Sequence, residues 1–214
     1  MFTGIIAGST TVSTITALST GRQLRIQFPG ANTRLASGDS IALNGVCTTA
    51  IDIDASGFSI QLLQETLKKT NFNSIKVGDA LNWELSATPT TALGGHIVYG
   101  HVDEVGTISA ISDEGPFKIL SIGYSPQFRV YLIPKGSICI NGISLTVVDV
   151  TPTTFSCHII PHTIANTGLY AQKSGNLVNL EYDIVAKYLY NFHSFSQEAS
   201  EKSLLDTLNK AGYL

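Results

Sequence analysis

Residues 44–53 read NGVCTTAIDI, and residues 141–150 read NGISLTVVDV. One chain has written the same stretch twice. The shift of 97 residues that carries position 44 onto position 141 also lays Ser40 on Ser137, Thr49 on Thr146, Asp52 on Asp149, Phe58 on Phe155 and Ser59 on Ser156. It continues without a gap through Thr66 and Thr163, Thr70 and Thr167, Gly78 and Gly175, Asn82 and Asn179, and Glu84 and Glu181. Pairs between these identities, such as Val46 with Ile143 and Ile53 with Val150, are conservative. A period this long exceeds any solenoid repeat, so each copy is a small domain and the chain is a tandem duplication.

Within a copy, short apolar runs are bounded by Gly, Asp, Asn and Pro. QLRIQF puts Leu24, Ile26 and Phe28 on one face, and SIALNGV, FSIQLL and ALNWEL follow as further strands. The second copy reads HIVYGHV, GTISAI, KILSIGY, SICING, FSCHII and LVNLEY. About six strands per copy with many turns predict an all-β chain: two tandem antiparallel barrels, each closing its own edges. One short helix per copy is expected, signalled best by Ser125 before Pro126. The seam falls in SATPTTALGGH, which divides the chain into 1–88, 89–185 and a tail, 186–214. Around and after that last boundary, Ile184, Val185, Tyr188, Leu189 and Phe192 recur at helical spacing, and Leu204, Leu205 and Leu208 repeat the pattern before Gly212. An apolar stripe with no domain of its own needs a partner: its own subunit could supply one, but oligomerisation is the expected use.

Composition narrows the function classes. Charged residues make up 14% of the 214 positions, against about 25% in an average soluble domain, which again favours surface buried between subunits. A net charge of −3 leaves no basic excess for nucleic acid or an anionic membrane, and no apolar run reaches the length of a membrane span. The start, MFTGIIAGSTTV, has no positively charged leader, and three cysteines without C-x-x-C spacing suit a reducing compartment. A cytoplasmic location is expected.

The quoted stretch also carries chemistry. Ser144 and Thr146 lie two apart, so on a strand both hydroxyls share a face; Cys47 and Thr49 hold the matching places in the first copy. Cys47 reads either as a nucleophile or polar contact, or as a small buried hydrophobe. His101 is the candidate general base, because imidazole titrates near neutrality. His96 and His101 are five apart and would fall on opposite faces of a strand, with no cysteine or carboxylate at ligand spacing, so no metal site is expected. His193 in the tail is expected to be solvated.

Several motifs together carry a specific likeness: MFTGII at the start, NGVC with Thr49, ETL at 65–67 with Thr70, GGH at 94–96, GHVD at 100–103, KG at 135–136, INGISLTV at 140–147 and VNLEYDIVAKY at 178–188. In order and spacing over residues 1 to about 190, the chain resembles the riboflavin synthase family of duplicated lumazine-binding barrels. The resemblance implies a homotrimer joined through C-terminal helices, each barrel binding one 6,7-dimethyl-8-ribityllumazine, with catalysis where one subunit's N-terminal barrel faces its neighbour's C-terminal barrel. It implies four-carbon transfer between two identical substrates, without metal or cofactor.

The same resemblance places in the pockets Gly4, Ile5 and Ile6; Ser40; Cys47, Thr48 and Thr49; Gln61, Leu62, Leu63, Gln64, Glu65 and Thr66; and Gly100, His101 and Val102. It adds Lys135; Ser144, Leu145 and Thr146; His158, Ile159, Ile160, Pro161, His162 and Thr163; and Asp183, with His101, Ser144, Cys47 and Thr146 as the catalytic candidates. A surface ion pair or a helix cap remains the alternative for Lys135 and Asp183. Thr48 departs from the aliphatic residue usual in the family and is expected to point away from the ligand if Cys47 and Thr49 point in. Two identical substrates must play different parts, so the copies have to differ somewhere. The candidate differences are Cys47 against Ser144, Gly38 against Lys135, Gln61 against His158, Glu65 against His162 and, with one gap, Ile5 against His101.

Overall fold

A computed structural model of the chain describes residues 1–196. The first half contains β1 (Gly8–Leu18), β2 (Gly21–Gln27), β3 (Ser40–Leu43), β4 (Val46–Thr49), β5 (Gly57–Leu63), the helix α1 (Gln64–Lys69) and β6 (Ala80–Leu85). The second repeats it as β7 (Glu104–Glu114), β8 (Phe117–Gly123), β9 (Ser137–Ile140), β10 (Ile143–Val150), β11 (Thr154–Ile159), α2 (Pro161–Asn166) and β12 (Leu177–Tyr182). A helix over residues 184–196, α3, follows; Leu204, Leu205, Leu208 and Gly212 lie outside the described residues.

The second half is a closed barrel in the order β10-β11-β8-β7-β12-β9. The first half is a six-stranded sheet with the equivalent order, β4-β3-β6-β1-β2-β5. Just past the end strand β4, Ile51 bridges to Ser59 of β5, the other end strand, the two exchanging both backbone hydrogen bonds at 2.9 and 2.7 Å.

Alternation fills each interior. Leu24, Ile26 and Phe28 are all buried, as their spacing predicts, and pack with Phe58, Ile60 and Leu81. The second core holds Ile108, Ile122, Phe155 and Leu180. Each such side chain withdrawn from water stabilises the fold by about 1.5–3 kcal/mol.

Three sequence expectations change. SIALNGV is not one strand: Asn44 and Gly45 have φ of 44° and 75°, forming a two-residue turn across which Leu43 pairs with Val46. HIVYGHV is an extended segment outside the sheets, held at Val98 by a bridge to Phe2. Pro126 does start a helix, but it is a 3-10 helix, Pro126–Tyr131, and the Ser125 hydroxyl donates to Glu104 instead of capping it. The α-helical turns are α1 and α2, which follow β5 and β11 directly. Thr70 and Thr167, the residues that follow these helices, donate their hydroxyls to the carbonyls of Thr66 and Thr163, both at 2.7 Å.

The two halves meet on a pseudo-twofold axis that runs through the opening stretch itself. The turn Asn44-Gly45 packs against Asn141-Gly142 so closely that a Cβ on Gly45 would lie 2.6 Å from the Gly142 nitrogen, and one on Gly142 2.9 Å from that of Gly45. Buried asparagines close the contact reciprocally. Asn82 Nδ2 donates to the Asn141 carbonyl and Asn179 Nδ2 to that of Asn44, both at 2.9 Å. Asn44 Oδ1 accepts from the Asn82 N–H and Asn141 Oδ1 from that of Asn179. Buried polar groups fully paired in this way fix one relative placement of the halves.

Gly45→Ala and Gly142→Ala are each expected to destabilise the protein by about 2–4 kcal/mol, because a left-handed φ and a backbone clash coincide. Denaturant unfolding checks this; a cost near zero in both variants would mean that the two turns are not packed together.

Candidate active site

Residues 1–6 and 95–102 run outside the sheets and cross between the halves. Phe2 and Val98 exchange backbone hydrogen bonds at 2.6 and 3.1 Å. Beyond that bridge each segment reaches the other half: the Ser144 N–H donates to the Gly4 carbonyl at 2.8 Å, and the Cys47 N–H to that of Gly100 at 2.9 Å. Ile6 consequently packs on the second core and Val102 on the first. Gly4 and Gly100 both have φ of 76°, and a Cβ on either would come within 2.6 Å of the Cβ of Ser144 or Cys47.

The crossing segments have no ladder partner for several N–H groups, and one buried carboxylate per half supplies it. Glu84 accepts from the Thr3 N–H at 2.6 Å, the Thr3 hydroxyl at 2.7 Å and the Gly4 N–H at 2.9 Å. Glu181 accepts from the N–H groups of Tyr99, Gly100 and His101 at 2.7, 2.9 and 3.0 Å. Burial pushes both carboxyls up, against these donors, which pull them down. In the sequence this glutamate pair stands out only as a repeat identity. A glutamate inside a strand at the same place in both copies was the available signal.

A cleft beside the first barrel gathers Cys47, Glu65, Thr66, Gly100, His101 and Val102, together with Lys69 and Thr70. Cys47 is half-buried, whereas Cys139 and Cys157 are buried, and burial pushes the Cys157 thiol up to about 12. Thr49 shares the outward face of Cys47. Thr48 points inward, its hydroxyl donating to the Ile41 carbonyl at 2.9 Å, as expected for a residue between the two. His101 is exposed and stacks on Tyr99 with ring centroids 5.8 Å apart.

At the equivalent place on the second barrel, Ser144 and Thr146 face outward while Leu145 packs on the core. Gly4 and Gly95 flank Ser144, and the Ser144 Oγ lies 2.7 Å from Nδ1 of buried His96. In the sequence His96 suggests no role beyond the metal site that its spacing argues against. With residues 95–102 outside the sheets, strand alternation does not govern its direction, and no spacing rule could have found the contact.

The remaining candidates divide by burial. Leu62 and Ile159 turn into the cores, so only their backbone is available to a pocket. Leu63 and Ile160 are exposed, as are Gln64, Pro161 and His162, while Ile5 is 52% exposed at the tip of its crossing segment. Ser40 is half-buried and pairs with Thr49. Gln61 donates to Gln23, and His158 lies 3.6 Å from Glu114 at the rim of the second barrel. Glu65 pairs with Lys69 at 3.2 Å on the surface. Lys135 is exposed, with φ of 69° where the first copy has Gly38. Asp183 accepts the Val185 N–H at 2.9 Å, the cap of α3 that the sequence left open.

Comparison with known proteins agrees with this architecture. A family model for the lumazine binding domain matches twice, at residues 3–86 and 99–183, spans that contain the twelve strands of the described residues. Riboflavin synthases of Photobacterium phosphoreum and Actinobacillus pleuropneumoniae are each 38% identical to the chain, over 219 and 215 residues, covering 100% of both partners. A crystal structure of LumP complexed with 6,7-dimethyl-8-(1'-D-ribityl) lumazine superposes with a TM-score of 0.77 at 21% identity, covering 85% of this chain and 99% of that one. The duplicated unit and the end-to-end likeness lead to one conclusion: the chain belongs to the riboflavin synthase family of lumazine-binding proteins and is an enzyme of the riboflavin synthase class.

Proposed function

We propose that the protein converts two molecules of 6,7-dimethyl-8-ribityllumazine into riboflavin and 5-amino-6-(D-ribitylamino)uracil by moving a four-carbon unit from one to the other. The observation that carries this reading is the duplication of a pocket wall within one chain. Cys47 with Thr49, and Ser144 with Thr146, present the same outward polar face twice, and each is covered by a crossing segment from the other half. Two like walls suit a reaction that uses one compound twice.

The chemistry asks little of the side chains. The methyl group at C7 of the lumazine is acidic because its carbanion delocalises into the pteridine, so a modest base such as His101 suffices. Holding two flat bicycles in reacting geometry is the larger demand, and proximity can supply about 7–11 kcal/mol of it. In this reading Thr66 and Thr163 hold pteridine edges, and the difference between Cys47 and Ser144 helps tell donor from acceptor.

The proposed assembly is a homotrimer in which one subunit's first barrel faces its neighbour's second. It is supported by α3, which docks one side on its own chain through Tyr190 against Tyr131, ring centroids 5.6 Å apart, and Lys187 against Asp103 at 2.6 Å. Tyr188, Phe192 and Phe195, at 68%, 74% and 64% exposure, leave an apolar stripe outward. Among the described residues no helix is long and apolar enough to cross a membrane, and a cytoplasmic location is part of the proposal.

Purified protein mixed with dimethyl-ribityllumazine alone is expected to develop riboflavin fluorescence; binding without turnover would replace the enzyme by a lumazine carrier. Ser144→Ala and His101→Gln are expected to lower kcat by about 10²-fold or more with thermal midpoints close to that of the parent. Parallel losses of activity and stability would reduce both residues to structural roles. Sedimentation equilibrium should give three times the 22.8 kDa chain mass, and a monomer across the working concentration range would remove the shared site.

A further inference from the structure

We propose that His96 is a positioning residue that makes the Ser144 hydroxyl a one-way hydrogen-bond donor to a bound heterocycle, by donating its own Nδ1–H to Ser144 Oγ. The inference rests on the lumazine reading for the ligand's identity, but its structural half stands without it.

Ser144 sits in a slot with little freedom. Gly4 and Gly95 flank it so tightly that a Cβ on Gly4 would lie 2.6 Å from the Ser144 Cβ, and one on Gly95 2.9 Å from its Oγ. His96 is anchored by its own N–H, which donates to the Thr3 carbonyl at 3.1 Å, and its Nδ1 lies 2.7 Å from Ser144 Oγ. The serine rotamer is therefore fixed from three sides.

The direction of the proton follows from the other ring nitrogen. His96 is 8% exposed, and its Nε2 is buried with no partner among the described residues. Burial pushes this imidazole below its ordinary pKa, and the Asp183 carboxylate draws it the other way. The ring is neutral near pH 7 and carries one N–H. An N–H on Nε2 would be an orphaned buried donor, which proteins rarely tolerate, whereas a bare lone pair there is less costly. The proton belongs on Nδ1, where Ser144 Oγ accepts it.

Once its oxygen accepts from His96, the serine's own O–H is left to donate outward, and accepting polarises it into a better donor. A carbonyl oxygen or unprotonated ring nitrogen of a pteridine is the matching acceptor. This arrangement excludes a serine activated by a histidine base, since Nδ1 has no lone pair to receive the hydroxyl proton. The first copy differs: among the described residues, no side chain hydrogen-bonds the Cys47 thiol, itself a weak donor. One wall thus offers an aimed donor and the other does not.

Long-range ¹H–¹⁵N correlation of the full-length parent protein reads the tautomer directly, with His96 assigned by its loss in His96→Asn. Nδ1 is expected as the protonated, pyrrole-type nitrogen and Nε2 as pyridine-type; the reverse assignment overturns the proposal whether or not the protein turns over lumazine. Activity gives a second readout. Asparagine places its amide N–H near the Nδ1 position and is expected to keep kcat within about threefold, whereas His96→Gln and His96→Leu fall about 10²-fold, as when one aimed donor is lost. Adding Ser144→Ala to His96→Leu should cost nothing further, because the two residues act as a unit. Unchanged kcat in His96→Leu, or additive losses, would overturn it. Absence of turnover in the parent protein would instead count against the riboflavin synthase reaction, leaving the tautomer to be judged by its spectrum.

Discussion

Two buried carboxylates hold the molecule in its working shape. Residues 1–6 and 95–102 leave the sheets to cross between halves, and backbone that leaves a ladder must find other acceptors for its N–H groups. Glu84 and Glu181 provide them, each taking three donors at 2.6–3.0 Å. The left-handed glycines Gly4 and Gly100 turn successive N–H groups toward one carboxylate, whose two oxygens share them in the manner of an anion nest. Lose that carboxylate and three donors of the crossing segment lose their acceptor, leaving one cross-barrel backbone bond and the packing of Ile6 or Val102 to hold the segment in place.

Each candidate pocket is therefore composite. Cys47 is roofed by Gly100 from the second half, and Ser144 by Gly4 from the first. The asparagine exchange and the Gly45–Gly142 contact set the pseudo-twofold axis that makes both crossings possible at once. The barrels are thus not two independent binding modules on a string; the position of each pocket wall depends on the docking of the two.

Symmetry holds at the contact between the halves and breaks at part of the candidate pocket lining. The groups on the axis repeat faithfully: Asn44 with Asn141, Gly45 with Gly142, Asn82 with Asn179. Off the axis the copies diverge at Cys47 and Ser144, at Ile5 and His101, and at Gly38 and Lys135. The last pair keeps its backbone conformation, with φ of 98° and 69°, while exchanging glycine for a long cation. A left-handed lysine costs about 1 kcal/mol relative to glycine, a strain that side-chain function can justify more readily than folding can.

By itself the sequence determined the duplication, the all-β class, most strands and the shared outward face of Ser144 and Thr146, because these depend on local periodicity and on identities at a fixed shift. It also brought Cys47 and His101 forward by their chemistry and Thr66 through a family resemblance, and the fold gathers them in one cleft. Only the tertiary structure decided that 95–102 is a crossing segment, that the two Asn-Gly turns pack on each other, that Asp183 caps a helix, and that His96 meets Ser144 across 48 residues. None of these has a local signature: they arise from chain segments packing across a pseudo-twofold axis, and a contact made by docking leaves no period in either segment.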